Sequence, residues 1–244
     1  MTHSSKSPTT ARQQQRGVLD LTHALAPNIP NWDNLPTAVE VSIEETLEKD
    51  AFFSRRISLN EHTGTHFDAP AHVVAGGRTV EQIAPGRLVR PLIVIDVRKQ
   101  VEHDADYVVT VADVTAWEKQ HGEMPHGAVV LACTGWDVRW SSPASFRNAD
   151  AKGVMHFPGF AEKTAVWLIE HRDIAGLGVD TLSVDPGNSG AYPVHKCCAA
   201  HGVYHLECVA NLADAPPSGA TVVIAPMKLA GGSGAPARIL ALLP

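Results

Sequence analysis

The sequence predicts a single mixed α/β domain, and three observations carry that prediction. Short apolar runs rich in β-branched residues recur, helical patterns alternate with them, and no composition break or internal repeat interrupts residues 17–244. Pro91-Leu-Ile-Val-Ile-Asp-Val97 is the first run and has strand length. Thr110-Val-Ala-Asp113 then has the form of a helix start, followed by Val114 and Trp117 and stopped at Gly122. Gly127-Ala-Val-Val-Leu-Ala-Cys133 is a second buried strand. Phe160 to His171 reads as a second helix, with Ala165, Leu168 and Ile169 at helical spacing. Ile174 to Val179 and Thr221 to Ala225 read as buried strands, and Ala237 to Leu243 as a last strand. Strand order cannot be read from these patterns.

Composition narrows the function classes. With 244 residues the chain can bury a sizeable core, and 44% hydrophobic with 19% charged residues excludes collagen and low-complexity disorder. Residues 1–16 hold Lys6, Arg12 and Arg16 and no acid, and are expected to be a disordered leader. The remaining chain, residues 17–244, has 17 basic and 26 acidic side chains, a net −9 that argues against nucleic acid as a partner. No segment reaches the ~18 apolar residues of a membrane span, and the N-terminus lacks the apolar core of a secretory signal. The four cysteines form no spaced framework, and adjacent Cys197 and Cys198 are awkward to bridge. Reduced thiols in a cytoplasmic protein are therefore expected.

Histidine is the outlier. Of 13, three fall at His62, His66 and His72 and three at His195, His201 and His205. In Ile57-Ser-Leu-Asn-Glu-His-Thr-Gly-Thr-His-Phe-Asp-Ala-Pro-Ala-His72, Gly64 and Pro70 argue against a helix. An extended chain from Ile57 to Asp68 puts His62, Gly64, His66 and Asp68 on one face and Ile57, Leu59 and Phe67 on the other. Two imidazoles and a carboxylate then address one space, with Gly64 leaving room for a metal or substrate. Pro70 ends the strand and lets the chain return His72 to the site. Nitrogen and oxygen ligands without thiolate suit zinc, manganese or iron(II).

His62-Thr-Gly-Thr-His66-Phe-Asp68-Ala-Pro70-Ala-His72 resembles the HxGTHxDxPxH signature of the cyclase family of metal-dependent hydrolases, which includes bacterial kynurenine formamidase and isatin hydrolase. Similarity continues in Thr134-Gly-Trp136, Phe157-Pro-Gly159, Gly178 to Gly187 and Lys228 to Leu243. The resemblance implies the family's swivelling β/β/α domain. It implies metal ligands at His62, His66 and Asp68, and an acid/base at His72. In the formamidases a later histidine and a glutamate twelve residues on hold a second metal; His195 and Glu207 have that spacing. One or two zinc or manganese ions per chain are thus implied, with a homodimer or homotetramer as the expected assembly. Trp117 to Gly122 and Phe146 to Asp150 resemble the longer isatin-hydrolase-like branch instead. Trp32, Phe52 and Phe53 lie in loop-like sequence from which the family places aromatics over substrate, and His156 precedes Phe157-Pro-Gly159 closely enough to approach it.

The expected reaction is attack of metal-activated water on an amide carbonyl, with His72 moving the proton to the leaving nitrogen. Thr65 or Ser183 can orient ligands or water. The substrate class is a small aromatic amide. N-formylkynurenine leads, giving kynurenine and formate; isatin or another lactam is the alternative. Two other classes compete: a cysteine nucleophile at Cys133 or Cys208, and a non-catalytic metal-binding protein. The segment His195-Lys-Cys-Cys-Ala-Ala-His-Gly-Val-Tyr-His-Leu-Glu-Cys208 can also be read as a local zinc knuckle, though its spacing is irregular. His201 and His205 are expected to be structural or to support the ligands from behind.

Overall fold

A computed structural model describes residues 17–244, so the leader expected over 1–16 lies outside the described residues. The chain opens with β1 (Val18–Asp20) and a hairpin of β2 (Val39–Glu45) and β3 (Ser54–Leu59) that encloses the one-turn helix α1 (Leu47–Asp50). Next come β4 (His66–Asp68), β5 (Val89–Asp96), the short α2 (Arg98–Val101), β6 (Val108–Val109) and α3 (Val111–His121). The middle holds β7 (Val129–Cys133), α4 (Pro143–Arg147), β8 (Gly159–Phe160), α5 (Glu162–Arg172) and β9 (Gly176–Val179). The last third holds α6 (Pro193–Ala200), β10 (Tyr204–Glu207), β11 (Thr221–Pro226) and β12 (Gly234–Leu242).

Eight strands form one mixed sheet in the order β1-β12-β11-β5-β7-β9-β10-β4, and β4 also pairs with β12, so the sheet closes into a barrel. β5, β7, β9 and β10 run parallel, while β4 is antiparallel to both neighbours. Alternation explains why the apolar runs are continuous. Leu92, Val94, Val129 and Leu131 fill the barrel interior. Ile93, Ile95, Val130 and Ala132 face outward onto Val114, Trp117, Ala165 and Leu168 of α3 and α5. Each fully buried aliphatic side chain of this kind contributes about 1.5–3 kcal/mol.

α3 starts where the sequence places it. Thr110 Oγ1 accepts from the Asp113 N–H (3.3 Å) and Asp113 Oδ2 accepts from the Thr110 N–H (2.7 Å), a capping box of about 1 kcal/mol. Trp117 Nε1 donates to the Val94 carbonyl at 3.0 Å and pins the helix to β5. Among the described residues no helix is long and apolar enough to cross a membrane.

Three boundaries differ from expectation. Phe160 belongs to β8, because it pairs with Val109 of β6, and α5 starts at Glu162. β12 begins at Gly234, and its added residues Gly234, Ala235 and Pro236 are those that pair with β4. Lacking β-branched side chains, they carry no strand signal. The single strand expected over Ile57 to Asp68 is two strands joined by a turn, with β3 paired only to β2 and Ile57 59% exposed. Gly64 makes the break: its φ is +70°, and a Cβ there would sit 2.5 Å from Leu25 Cδ2.

Candidate metal centre

The centre begins as a two-by-two grid on paired strands. Asp68 on β4 lies opposite His205 on β10, and His66 lies opposite Glu207. Alternation along each strand sends all four side chains to one face, and all four are buried. The expected shared face therefore holds for His66 and Asp68. His62 reaches the same space from the turn around Gly64, and Gly234 of β12 passes so close that a Cβ there would lie 2.4 Å from the His62 ring. The one-turn 3₁₀ segment Pro70–His72 returns the chain and sets the His72 ring 3.9 Å from that of His62.

His195 arrives on the first turn of α6, and one side chain sets it there. Asp185 accepts from the backbone N–H of Val194 (2.9 Å) and of His195 (3.0 Å), and from His195 Nδ1 at 2.6 Å. The same carboxylate thus caps the helix and aims the ring. His195 Nε2 then lies 3.4 Å from Asp68 Oδ2 and 3.2 Å from Glu207 Oε1, while His66 Nε2 lies 3.2 Å from Asp68 Oδ1 and 3.4 Å from Glu207 Oε2. Glu207 Oε1 is held by the Val184 N–H at 2.9 Å.

Partners on the far nitrogens assign the tautomers. His66 Nδ1 donates to the Gly64 carbonyl (2.9 Å), and His195 Nδ1 donates to Asp185. His62 Nε2 donates to Ser233 Oγ (3.0 Å), whose own hydrogen goes to Glu61 Oε2 (2.8 Å). All three rings therefore turn their other nitrogen inward, that of His62 2.6 Å from Asp68 Oδ1, the orientation metal-bound histidines adopt. The two carboxylates buried among these nitrogens call for positive charge between them. The pKa directions report the same demand. Burial disfavours charge on His66, yet Asp68 and Glu207 raise it to about 10. His195 is raised against burial by Asp185, Asp68 and Glu207. Burial and Asp68 push Glu207 up, but His195 and His66 hold it down at about 2. Asp68 Oδ2 is buried without a hydrogen-bond partner. The donor set fits a divalent cation: donor atoms of His66, Asp68 and Glu207, of Asp68, His195 and His205, and of His62, Asp68 and His72 lie within 4.8 Å of one another in each set.

A cavity of about 460 Å³ opens over the centre, with Trp32, Leu35, Leu182 and Tyr192 as apolar walls and His72, Ser183 and Glu207 among its polar lining. Trp32 faces Tyr192 at 6.0 Å and Phe157 at 6.4 Å. His72 is partly exposed there, its ring makes no hydrogen bond among the described residues, and burial lowers its pKa. The structure does not bring Phe52, Phe53 or His156 to the cavity. The left-handed turn at Ala51 (φ 65°) carries Phe52 and Phe53 to the outside of the hairpin, where they are 57% and 56% exposed. His156 is drawn away by Asp106, 2.8 Å from its Nδ1. Thr65 is also spent elsewhere: its hydroxyl donates to the Cys208 carbonyl (2.6 Å) and accepts from the His23 N–H (3.0 Å).

The thiol readings fail on geometry. Cys133 and Cys208 are buried, and burial pushes both thiols up, away from the reactive thiolate. No zinc knuckle forms; the candidate metal-holding groups among the described residues contain no cysteine, and His201 Nδ1 donates to the Cys197 carbonyl at the end of α6.

The Cyclase family model matches residues 19–186, more than half of the chain. The chain belongs to the cyclase family. Isatin hydrolase of Roseibium aggregatum is 35% identical over 93% of this chain and 92% of its own length. The structure of isatin hydrolase A from Ralstonia solanacearum superposes with a TM-score of 0.87 at 37% identity, covering 99% of this chain and 100% of that one. Kynurenine formamidase of Salinibacter ruber is 24% identical over 91% of this chain and 95% of its own. The chain is accordingly a hydrolase of the cyclase family.

Sequence reasoning alone missed several supports of this cyclase-family centre. Asp185 bonds the first turn of α6 from nine and ten residues upstream, too far for a local cap pattern to mark it. Tyr192 and Leu182 had no local signal. The Glu61–Ser233 relay behind His62 joins residues 172 apart in sequence, and no local pattern reports such a contact.

Proposed function

We propose that this chain opens a cyclic aryl amide of the isatin class by hydrolysis, using a bound zinc or manganese ion. The observation that carries the reading is the uneven similarity: 35% identity to an isatin hydrolase against 24% to a kynurenine formamidase, each over more than nine-tenths of this chain. This inverts the order expected from the sequence, where N-formylkynurenine led.

The cavity suits a flat, largely apolar substrate with one reacting carbonyl. Trp32, Leu182 and Tyr192 offer faces for a ring, and the polar groups converge at one end. A divalent cation bound by ligands drawn from His62, His66, Asp68, His195 and Glu207 would supply Lewis acidity, lowering the pKa of water toward neutrality and polarising a carbonyl. His72 takes the proton of the attacking water and returns it to the ring nitrogen as the C–N bond breaks. One water is consumed, and the product carries a carboxylate and an arylamine on one molecule. Ser183 Oγ accepts from the Asp185 N–H at 3.1 Å, which leaves its hydrogen free to donate to a substrate oxygen.

One observation favours the formamidase as a second reading. Glu207 stands between His66 and His195 as a further acidic ligand, as the formamidase pattern requires. Parallel assays on isatin and N-formylkynurenine, with metal-loaded and chelator-stripped protein, separate the two. The proposal expects kcat/KM for isatin to exceed that for the formamide by on the order of 100-fold, the discrimination a fitted pocket supplies. A reversed ratio restores the formamidase. Turnover that survives complete metal removal defeats both.

A further inference from the structure

His205 is not among the ligands implied by the family resemblance, yet the fold places it in the centre. It is the register partner of Asp68 and shares with Glu207 the face of β10 that looks away from the barrel interior and toward the centre. It is 2% exposed, and its Nε2 is buried without a hydrogen-bond partner. Asp68 Oδ2 beside it is also without one. The His205 and His195 rings lie 4.6 Å apart, tilted by 56°, and one donor atom each from Asp68, His195 and His205 lies within 4.8 Å of the others. No hydrogen bond explains an imidazole there: Phe67, Tyr204 and Leu206 on the adjoining positions point to the opposite face, into the barrel interior, and leave the His205 ring facing the polar cluster. A buried imidazole nitrogen without a hydrogen-bond partner, close to a carboxylate oxygen and a second imidazole, is what a metal position needs.

We propose that His205 is a metal ligand, forming with His195 and Asp68 the inner position of the centre and biasing it toward zinc. The inference rests on the centre holding metal, as read above. Imidazole nitrogen suits zinc, whereas manganese prefers oxygen donors. A position with two imidazoles and a carboxylate therefore discriminates between the two ions more strongly than one built on Asp68, His195 and Glu207 alone.

The test uses the full chain, stripped with chelator and titrated separately with zinc and manganese. It compares wild type with His205→Leu, His205→Gln and the exposed control His201→Ala. Uptake is followed by calorimetry, and X-ray absorption of the zinc-loaded proteins counts coordinated imidazoles. We expect His205→Leu and His205→Gln to show fewer zinc-bound imidazoles than wild type. Their tightest His205-dependent zinc site should weaken by more than ~100-fold, the upper limit for losing a group that merely supports a ligand. Manganese affinity should change far less, and His201→Ala should match wild type. An unchanged imidazole count and zinc affinity in both His205 variants, each shown by circular dichroism to be folded, overturns the role of His205 and leaves the metal reading intact. Failure of wild type to take up either ion overturns the metal reading itself.

Discussion

The floor and the roof of the cavity are built by different means. The floor residues His66, Asp68 and Glu207 sit on strands paired on both sides, and Asp185, Gly64 and Val184 fix their orientation or that of their neighbour His195 by hydrogen bonds. The roof is a loop. Trp32 is 37% and Leu35 55% exposed, and the loop is tied down by Arg147, which donates to the Asn31 and Trp32 carbonyls, and by Asn31, which bonds Leu35. A ladder cannot shift one residue without turning every side chain to the other face. A loop wall changes shape at small cost. Under the proposed function the reaction belongs to the rigid half and the choice of substrate to the permissive half.

The largest effect should come from the floor. Asp68→Asn keeps the shape but removes the negative charge that His62, His66 and His195 share. We expect the purified variant to lose bound metal and at least ~1,000-fold in kcat, because both the water of lowered pKa and carbonyl polarisation go with the ion. Metal analysis beside turnover checks it, and a variant that stays loaded and active would show that the grid is not the ligand set. His72→Ala comes next. Its ring lies against the centre without a hydrogen bond of its own, so we expect metal to remain and kcat to fall by about 100- to 10,000-fold, the usual contribution of a general base. Loss of metal with the ring would make His72 a ligand, which its position within 4.8 Å of His62 and Asp68 donors makes a real alternative.

The same division explains what was legible in the sequence. The apolar runs at 91–97 and 127–133 and the Thr110 cap are local signals, and they became β5, β7 and α3 within two residues or so. His66 and Asp68 followed from alternation along a strand. His62 came to the same space by a different route, through the turn around Gly64, where a positive φ and the close approach of Leu25 both call for glycine. His205 obeys the same alternation with Glu207 that was used for His66 and Asp68. In the sequence it reads as structural or as a support to the ligands, because nothing local distinguishes a ligand from a buried core histidine. Phe52 and Phe53 show the opposite error: aromatic character marked them for the cavity, but a left-handed Ala51 decided where they point.

A roof substitution should behave differently from either floor variant. Trp32→Ala removes a ring wall without touching a ligand, so we expect unchanged metal content, kcat within a few-fold, and KM for the aryl amide raised about 10- to 100-fold, the range for losing apolar pocket contact. Equal losses in kcat and kcat/KM would instead place Trp32 in the transition state's contacts and blur the floor–roof distinction.

His23 joins the chain just ahead of β4 to Trp140, and its effect is expected in stability alone. Its backbone N–H donates to Thr65 Oγ1, which anchors β4, and its ring stacks on Trp140 at 3.9 Å and 7°. Nε2 is buried without a partner, and burial lowers the pKa from 6.5 to about 4. The folded protein therefore holds this ring neutral while the unfolded chain protonates it. Between pH 6.5 and 4 the unfolded state binds the additional proton, so stability falls as pH drops through that window and is regained as it rises. From pH 7 to 4.5 the loss should be about 2 kcal/mol, allowing for the ring's partial exposure. His23→Phe keeps the stacking and abolishes the titration. Denaturant melts of both proteins at the two pH values give the difference of differences, in which the titration of every other group cancels. A stability gap that stays constant from pH 7 to 4.5 would mean that the ring accepts its proton in the folded state, and that the His23–Trp140 stack opens to water.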